Sequence, residues 1–442
     1  MTRFVQTPRS LLFTVLLQIA FVSAAPPDEM TREAVIEQMR PYAGPQVSAV
    51  DTSTLHGKVM CGYQGWFAAE GDGAGLGWRH YAGRGGLRPG SCTFDLWPDV
   101  SELDADERYT TAFKHADGRP AELFSPYNKK TVLRHFEWMA DYGIDGVFLQ
   151  RFGASLRSAS NLNHRNVITD NVREGANRTG RTWAMMYDLS GLREGDIERV
   201  VMDDWRNLVD RMEIRSDPAY LHHAGRPVVA VWGIGFNDGR RYTLGECERL
   251  VRFLKDDPEY GNNTVMVGVP TGWRTLTRDA LKDEKLHDII RKADIVSPWT
   301  VGRYHTPQAA RRHAEEWVRP DLAWCTEVGL DYLPVVFPGF SWHNMHVARG
   351  ESAPLNQIPR LKGEFLWSQA VADYQAGAKM LYVAMFDEID EGTAIFKCTN
   401  DPPVGESPFV TYEGLPSDHY LRLAGRIGRM LRGEIEATGE MP

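Results

Sequence analysis

Eight short apolar runs, rich in β-branched and aromatic residues, alternate with eight stretches of helical periodicity along this 442-residue chain. The runs are Val59–Trp66, Gly146–Phe152, Thr182–Leu189, Pro227–Ile234, Thr264–Val269, Ile295–Trp299, Leu333–Phe337 and Lys379–Phe386. Between them the spacing predicts helices at Lys130–Tyr142, Asn161–Ala176, Asp196–Arg211, Leu244–Lys255, Arg278–Lys292, Gln308–Val328 and Phe365–Ala376, with an eighth at Ser417–Arg432. Stretches such as Val228-Val229-Ala230-Val231 are apolar without alternation, the pattern of strands covered on both faces in a parallel sheet. The series predicts an α/β chain folded as a (β/α)8 TIM barrel over residues 51–442; a doubly wound sheet is the other arrangement it admits.

The first residues stand apart from this pattern. Arg3 and Arg9 precede an apolar stretch from Leu11 to Val22, and Val22-Ser23-Ala24 is a small-residue cleavage pattern. Segment 1–24 therefore reads as an export signal cut near Ala24 or Ala25, too short for a membrane span of roughly 20 residues. The expectation is a secreted or periplasmic protein with no integral membrane segment after cleavage. Residues 25–50, with several prolines, predict an N-terminal arm. A formal net charge of −9, with no basic run interleaved with aromatics, disfavours nucleic acid and anionic membranes and favours neutral or cationic ligands. The cysteines, Cys61, Cys92, Cys247, Cys325 and Cys398, form no CxxC pair, which removes zinc-ribbon and thioredoxin-like readings. An oxidising compartment would allow one or two disulfides and leave at least one thiol, with connectivity not legible in the sequence and no need of them for stability in a chain this size.

A barrel keeps its chemistry in the β-to-α connections. The first, from Phe67 to about Asn128, is the longest; it is Gly-rich and carries Trp78, His80, Tyr81, Asp95, Trp97, Asp99 and Tyr127. Its aromatics predict an ordered lid over the barrel mouth. A second long connection, Gly339 to Glu364, carries Trp342, His343 and His346. The strand exits present Tyr63, Gln64 and Trp66, then Gln150 and Arg151, then Tyr187 and Asp188, followed by Trp232, Trp273, Trp299 and Trp342. Rings that stack on sugar C–H faces, with planar polar groups for hydroxyls, make a carbohydrate site, so the predicted partner is an oligo- or polysaccharide. Arg151 either orients a carboxylate or substrate hydroxyl, or pairs with Asp188 or Asp387. His343 and His346 have no carboxylate at metal-site spacing and no HExxH surrounds them, so no metal and no cofactor is predicted; they read as substrate contacts or surface loop. No GxSxG elbow or phosphate loop is present.

The last apolar run leads straight into four carboxylates, Asp387, Glu388, Asp390 and Glu391. Acids crowded at a strand exit raise one another's pKa, which suits general acid–base work near neutral pH.

Phe386-Asp387-Glu388-Ile389-Asp390-Glu391-Gly392-Thr393 resembles the F-N-E-W-H-E-G-T pattern of glycoside hydrolase family 99, the endo-α-mannosidases, which are related to the α-1,3-glucanases of family 71. Cys61 to Phe67, Asp95 to Asp99 and Tyr142 to Phe152 are similar to segments of secreted bacterial proteins described as related to these families. The resemblance implies a barrel glycosidase that retains configuration without a carboxylate nucleophile. Glu388 would deprotonate the sugar's 2-hydroxyl, which attacks the anomeric carbon to give a 1,2-anhydro sugar, and Glu391 would serve as acid/base. Tyr63, Gln64, Trp66, Trp97 of the lid, Gln150, Arg151, Tyr187, Asp188, Trp232, Trp299, Trp342, His343 and Asp387 are the expected substrate contacts. Ile389 and Asp390 stand where the family has Trp and His, which removes an aromatic and adds a negative charge between the glutamates. The mannoside preference and each glutamate's role are thereby left open. Inverting, α-glucanase-like hydrolysis and a glycan-binding barrel without catalysis are the alternatives.

Overall fold

Each of the eight apolar runs supplies one strand of a parallel barrel. The computed structural model describes residues 30–47, 51–83 and 85–441; the expected export signal, segment 1–24, lies outside them. The strands are Val59–Tyr63, Gly146–Phe152, Thr182–Asp188, Arg226–Trp232, Thr264–Pro270 and Ile295–Trp299, then a seventh in two halves, Asp331–Tyr332 and Val335–Val336, and last Leu381–Val383. Each pairs in parallel with the next, and the first closes on the eighth with Val59 opposite Leu381. The halves of the seventh strand have different partners. Asp331–Tyr332 lies on the sixth strand and Val335–Val336 on the eighth. The step at Leu333-Pro334 hands the ladder over, Leu333 N donating to Val296 O (2.9 Å) and Pro334 O accepting from Tyr382 N (3.0 Å). Inside so narrow a ring a side chain is excluded where backbones meet: a Cβ on Gly146 would stand 1.9 Å from Thr182 O.

Among the described residues eight helical segments surround the barrel, and three depart from the periodicity, Asp196–Arg211 among them as a π-helical turn, Ile197–Met202, followed by Asp203–Asp210. The predicted Arg278–Lys292 helix shrinks to Lys285–Ile290. Asp279 is spent on the preceding turn, accepting from Thr271 N and Gly272 N, and Arg278 has φ of 56°, so local turn chemistry overrides helical spacing. Gln308–Val328 is Pro307–His313, a wide π-helical turn Ala314–Val318, then Arg319–Val328. Pro320 has no N–H to give the preceding turn, and the wider turn absorbs that loss. In the N-terminal arm a short helix, Arg32–Glu37, starts at Thr31 and buries Val35.

The first connection is a built layer. It contains the hairpin Tyr109–Lys114 with Pro120–Leu123, and its Tyr81, Phe94, Phe113 and Phe124 are buried. Bridges from Leu96 to Val410 and from Pro98 to Cys398 fasten it to the chain after the eighth strand. Trp97 belongs to this layer's core: it is 1% exposed, packs on Phe94, Phe113 and Phe409, and donates Nε1 to Glu122 O at 3.1 Å. Its expected role as a sugar platform is therefore corrected, because both faces and the polar edge are already occupied.

All five cysteines are buried free thiols, so none of the disulfides the compartment would allow is formed. Each is enclosed separately, and burial pushes Cys92 up to about 11 and Cys247 and Cys398 to about 12. Among the described residues no helix is long and apolar enough to cross a membrane.

Candidate active site

The site begins where the first strand ends. Gly65 turns the chain with φ of 55°, and Asp387 holds the turn by accepting Gln64 N at 2.7 Å and Gly65 N at 2.8 Å on its two oxygens. Fixed by its backbone, Gln64 donates its side-chain amide to Glu388 Oε1 at 2.8 Å. Thr393 Oγ1 donates to the other oxygen, Glu388 Oε2, at 2.9 Å. The Gly392-Thr393 turn thus brings the chain back onto its own carboxylate.

A cleft of about 240 Å³ opens above these groups, lined by Gln64, Trp66, Gln150, Phe152, Met186, Asp188, Ser190, Trp232, Trp299, Met385, Glu388 and Glu391. Its walls are aromatic. Trp66 lies 5.2 Å from Phe152 between ring centroids, and Trp232 meets Trp299 edge-on at 5.5 Å. Arg240 sits 4.8 Å over the Trp232 ring. Gln64 Oε1, Trp66 Nε1 and Trp232 Nε1 are buried without a hydrogen-bond partner. An unmatched buried polar atom costs about 1–3 kcal/mol, so one acceptor and two donors in a ring-lined cleft are suited to sugar hydroxyls.

The acids share a low-dielectric setting. Burial first, then Glu391 and Asp390, pushes Glu388 well above the usual carboxylate range, while Thr393 works the other way. Burial and then Asp390 raise Glu391 to about 7, opposed by Arg349. Asp390 rises to about 8 through burial, again opposed by Arg349. Burial takes Asp387 to about 7 against its two backbone donors, and Asp188 to about 6 against Ser190. His80 stacks on Trp66, centroids 4.1 Å apart and 2° from parallel, with Nδ1 3.4 Å from Asp390 Oδ2. Burial, then Arg165 and Arg79, holds this imidazole well below its ordinary pKa, so it is neutral at neutral pH.

Of the expected contacts, Gln64, Trp66, Gln150, Asp188, Trp232 and Trp299 line the cleft with Glu388 and Glu391. The others do not. Successive residues of a strand face opposite ways, so where Gln150 and Asp188 point to the mouth, Arg151 and Tyr187 point to the helices. There Arg151 Nη2 pairs with Asp204 Oδ1 at 2.6 Å, and Tyr187 donates to Asp204 Oδ2 at 2.6 Å. Arg151 therefore pairs with neither Asp188 nor Asp387. Tyr63 is fully buried, its hydroxyl 2.9 Å from His135 Nδ1. Asp387 has both oxygens committed to the Gln64–Gly65 turn, a positioning part. Trp342 packs on Phe340 and His346, and His343 donates Nδ1 to Ala353 O at 2.7 Å, its backbone N–H held by Asp95 at 2.7 Å.

Phe152, Met186 and Ser190 were not expected in the cleft. Stepping by two from Gln150 and Asp188 would have found all three. Arg165, from the Ala159–Thr179 helix, donates Nη1 to Gln64 O at 2.9 Å, and burial lowers it to about 9. No pattern in the chain announces a helical residue that reaches a distant strand end.

Among the described residues, His56, His223 and Asp331 are close enough to share a cation, at the opposite end of the barrel. Leu55 N–H donates to His223 Nδ1 at 3.1 Å, so Nε2 carries the proton and donates to Asp331 Oδ2 at 2.9 Å. The histidine lone pair a cation needs is already used.

No protein-family model matches the chain, and no curated protein matches it. Solved structures do. A family 99 endo-α-mannosidase from Bacteroides thetaiotaomicron superposes on 86% of this chain and 99% of its own, with TM-score 0.59 at 13% identity. A second structure of such an endo-α-mannosidase from that organism gives 0.57 at 14%, with the same coverage. A glycoside hydrolase-like protein covers 90% of this chain and 99% of its own, at TM-score 0.50 and 13% identity. At such identities the likeness concerns the fold, and the fold is that of the family 99 barrels.

Proposed function

We propose that the protein is an exported glycoside hydrolase that cleaves an α-linked glycan in this cleft, with Glu388 as base and Glu391 as acid/base. The observation that carries the reading is the joint presence of Glu388 and Glu391 in one cleft walled by Trp66, Phe152, Trp232 and Trp299. The family 99 barrels that share the fold are endo-α-mannosidases, which supports glycan hydrolysis without fixing the sugar. Export rests on the basic and apolar pattern of segment 1–24.

Hydrogen bonding supports this division of roles. Both carboxyls are raised, so near neutral pH the pair keeps a proton. Gln64 and Thr393 donate to separate oxygens of Glu388, which favours its ionised form; Glu391 has no such side-chain donor among the described residues. In this reading the two donors to Glu388 outweigh its greater upward shift, and the shared proton sits on Glu391. In the first step the sugar's 2-hydroxyl gives its proton to Glu388 as O2 bonds to C1. The C1–leaving-oxygen bond breaks, and that oxygen takes the Glu391 proton. Water then adds to C1 and gives a proton to Glu391, while the C1–O2 bond opens and O2 recovers its proton from Glu388. The product keeps the starting configuration.

The test is a hydrolysis screen of the mature protein against the Glu388→Gln/Glu391→Gln double variant on α-mannans, α-glucans and plant and algal polysaccharides. Cleavage by the wild type alone supports the reading. Glu391→Gln alone should lower kcat on the natural glycan by about 10²–10⁴ and far less on an activated aryl glycoside, whereas Glu388→Gln should cripple both. Equal losses on both substrates would refute the division of roles. Binding of a glycan by both proteins with hydrolysis by neither would make this a binding barrel.

A further inference from the structure

Two larger cavities adjoin the cleft, and both are lined by arginines. One, of about 660 Å³, is lined by Arg79, His80, Arg349, Glu351 and Asp390 among others. It reaches the cleft wall through His80, which stacks on the cleft's Trp66, and it includes Asp390, between the two glutamates in sequence. The other, of about 400 Å³, shares Ser190 with the cleft and is lined by Arg157, Arg193, Arg240 and Arg241. Ser190 follows the third strand and Asp390 the eighth, so the cavities lie on different sides of the barrel mouth.

Their charges are unbalanced. In the first, two guanidiniums, Arg79 and Arg349, share the lining with Glu351, whose carboxylate is 2.8 Å from His346 Nδ1, and with the buried Asp390. Arg79 bonds only the neutral amide oxygen of Asn161, and Arg349 has no side-chain hydrogen bond or ion pair among the described residues. Arg349 is nonetheless close enough to lower both Asp390 and Glu391. In the second, Asp238 is taken by Arg240 at 2.9 Å and Asp196 by Arg157 at 3.0 Å. Arg193 and Arg241 are exposed and have no carboxylate partner among the described residues. Asp390, 3% exposed, has Oδ1 without a partner where it faces the larger cavity. Four guanidiniums with no hydrogen-bonded carboxylate, Arg79, Arg349, Arg193 and Arg241, thus line the two cavities of a chain whose net charge is −9. Guanidinium forks match the planar or tetrahedral oxygens of carboxylates and sulfates, and local cations are what allow an acidic protein to hold an anion.

We infer that the substrate is an acidic glycan, its carboxylate or sulfate groups held by Arg79 and Arg349 on one side of the cleft and by Arg193 and Arg241 on the other. This rests on the glycosidase reading for the cleavage, and on the cavities alone for the binding. The negative groups lie on units flanking the one being cleaved, so the enzyme acts within an anionic chain.

Affinity electrophoresis separates the two layers. Wild type, Arg79→Gln/Arg349→Gln and Arg193→Gln/Arg241→Gln would be run in polygalacturonate and in a sulfated galactan, each beside its carboxyl-reduced or desulfated form. Arg312→Gln, an exposed arginine on an outer helix, is the control for bulk charge, and melting curves check folding. At least one anionic polymer should retard the wild type, with its neutralised form about tenfold weaker and each double variant losing about tenfold on the anionic form. The polymer that retards tells carboxylate from sulfate. Equal retardation by neutralised polymers, retardation by no anionic polymer, or an equal loss in Arg312→Gln overturns the inference. Charge-selective binding without released sugars would remove the glycosidase reading and leave this one. Hydrolysis of a neutral glycan with no charge preference would do the reverse.

Discussion

Gln64 and Glu388, 324 positions apart in the chain, are joined by a 2.8 Å hydrogen bond from amide to carboxylate. The backbone of Gln64 is held for that bond: Asp387 fixes its N–H and Arg165 its carbonyl, while its Oε1 stays open to the cleft. Gln64 thus borders the cleft and also biases the ionisation of its partner. Gln64→Leu removes a donor to the charged form, so Glu388 protonates more readily. The acidic limb of the kcat/KM profile should then move to higher pH and kcat should fall by about 10- to 100-fold. A loss of activity with an unmoved limb would mean that Gln64 contacts substrate without tuning the base.

The carboxylate cluster makes stability depend on pH in an unusual direction. An acid whose folded pKa exceeds its unfolded value keeps a proton that the unfolded chain has released, so stability falls as pH rises between the two. Asp390 spans 3.8 to about 8, Asp387 3.8 to about 7 and Glu391 4.5 to about 7. The contribution is whole below about pH 4 and lost progressively up to about pH 8. Asp390→Asn should therefore melt higher than the wild type at pH 8 and level with it at pH 4. Scanning calorimetry at both values decides it; a variant less stable at pH 8 would show that Asp390 is charged in the folded protein.

Two tryptophans separate scaffold from site. Trp97→Ala empties a filled aromatic core and should cost about 3–5 kcal/mol of stability, with KM unchanged in the protein that remains folded. Trp232→Ala should raise KM several-fold with a smaller stability loss, since that ring lines the cleft and keeps an unpartnered Nε1. Denaturant melts paired with kinetics check both; a raised KM in Trp97→Ala alone would return it to the site.

The barrel was legible because its evidence is local. A doubly covered strand must be apolar along its length, and Gly146–Phe152 and Ile295–Trp299 fall where the apolar runs begin and end. The acidic turn was legible for the same reason, since its residues are neighbours in sequence. What misled was adjacency elsewhere: Gln150 and Arg151 look like one polar unit, yet the pleat sends them to opposite faces. Tyr63 and Trp97 show a second limit, because an aromatic beside a strand exit reads alike whether it fills a core or borders a cleft. Arg165 and His80 show a third. Each reaches the site across the fold, through a helix face and a returning loop, and only the assembled chain reveals such reach.

The seventh strand gives the ring a splice. Strand six pairs only with its first half and strand eight only with its second, the ladder passing from one to the other at Leu333-Pro334, where every other neighbour shares a continuous ladder. The staves that carry Trp299 and the acidic turn are therefore coupled through a joint of two half-strands and share no common rung, so the two sides of the cleft are registered to each other chiefly the long way round the ring.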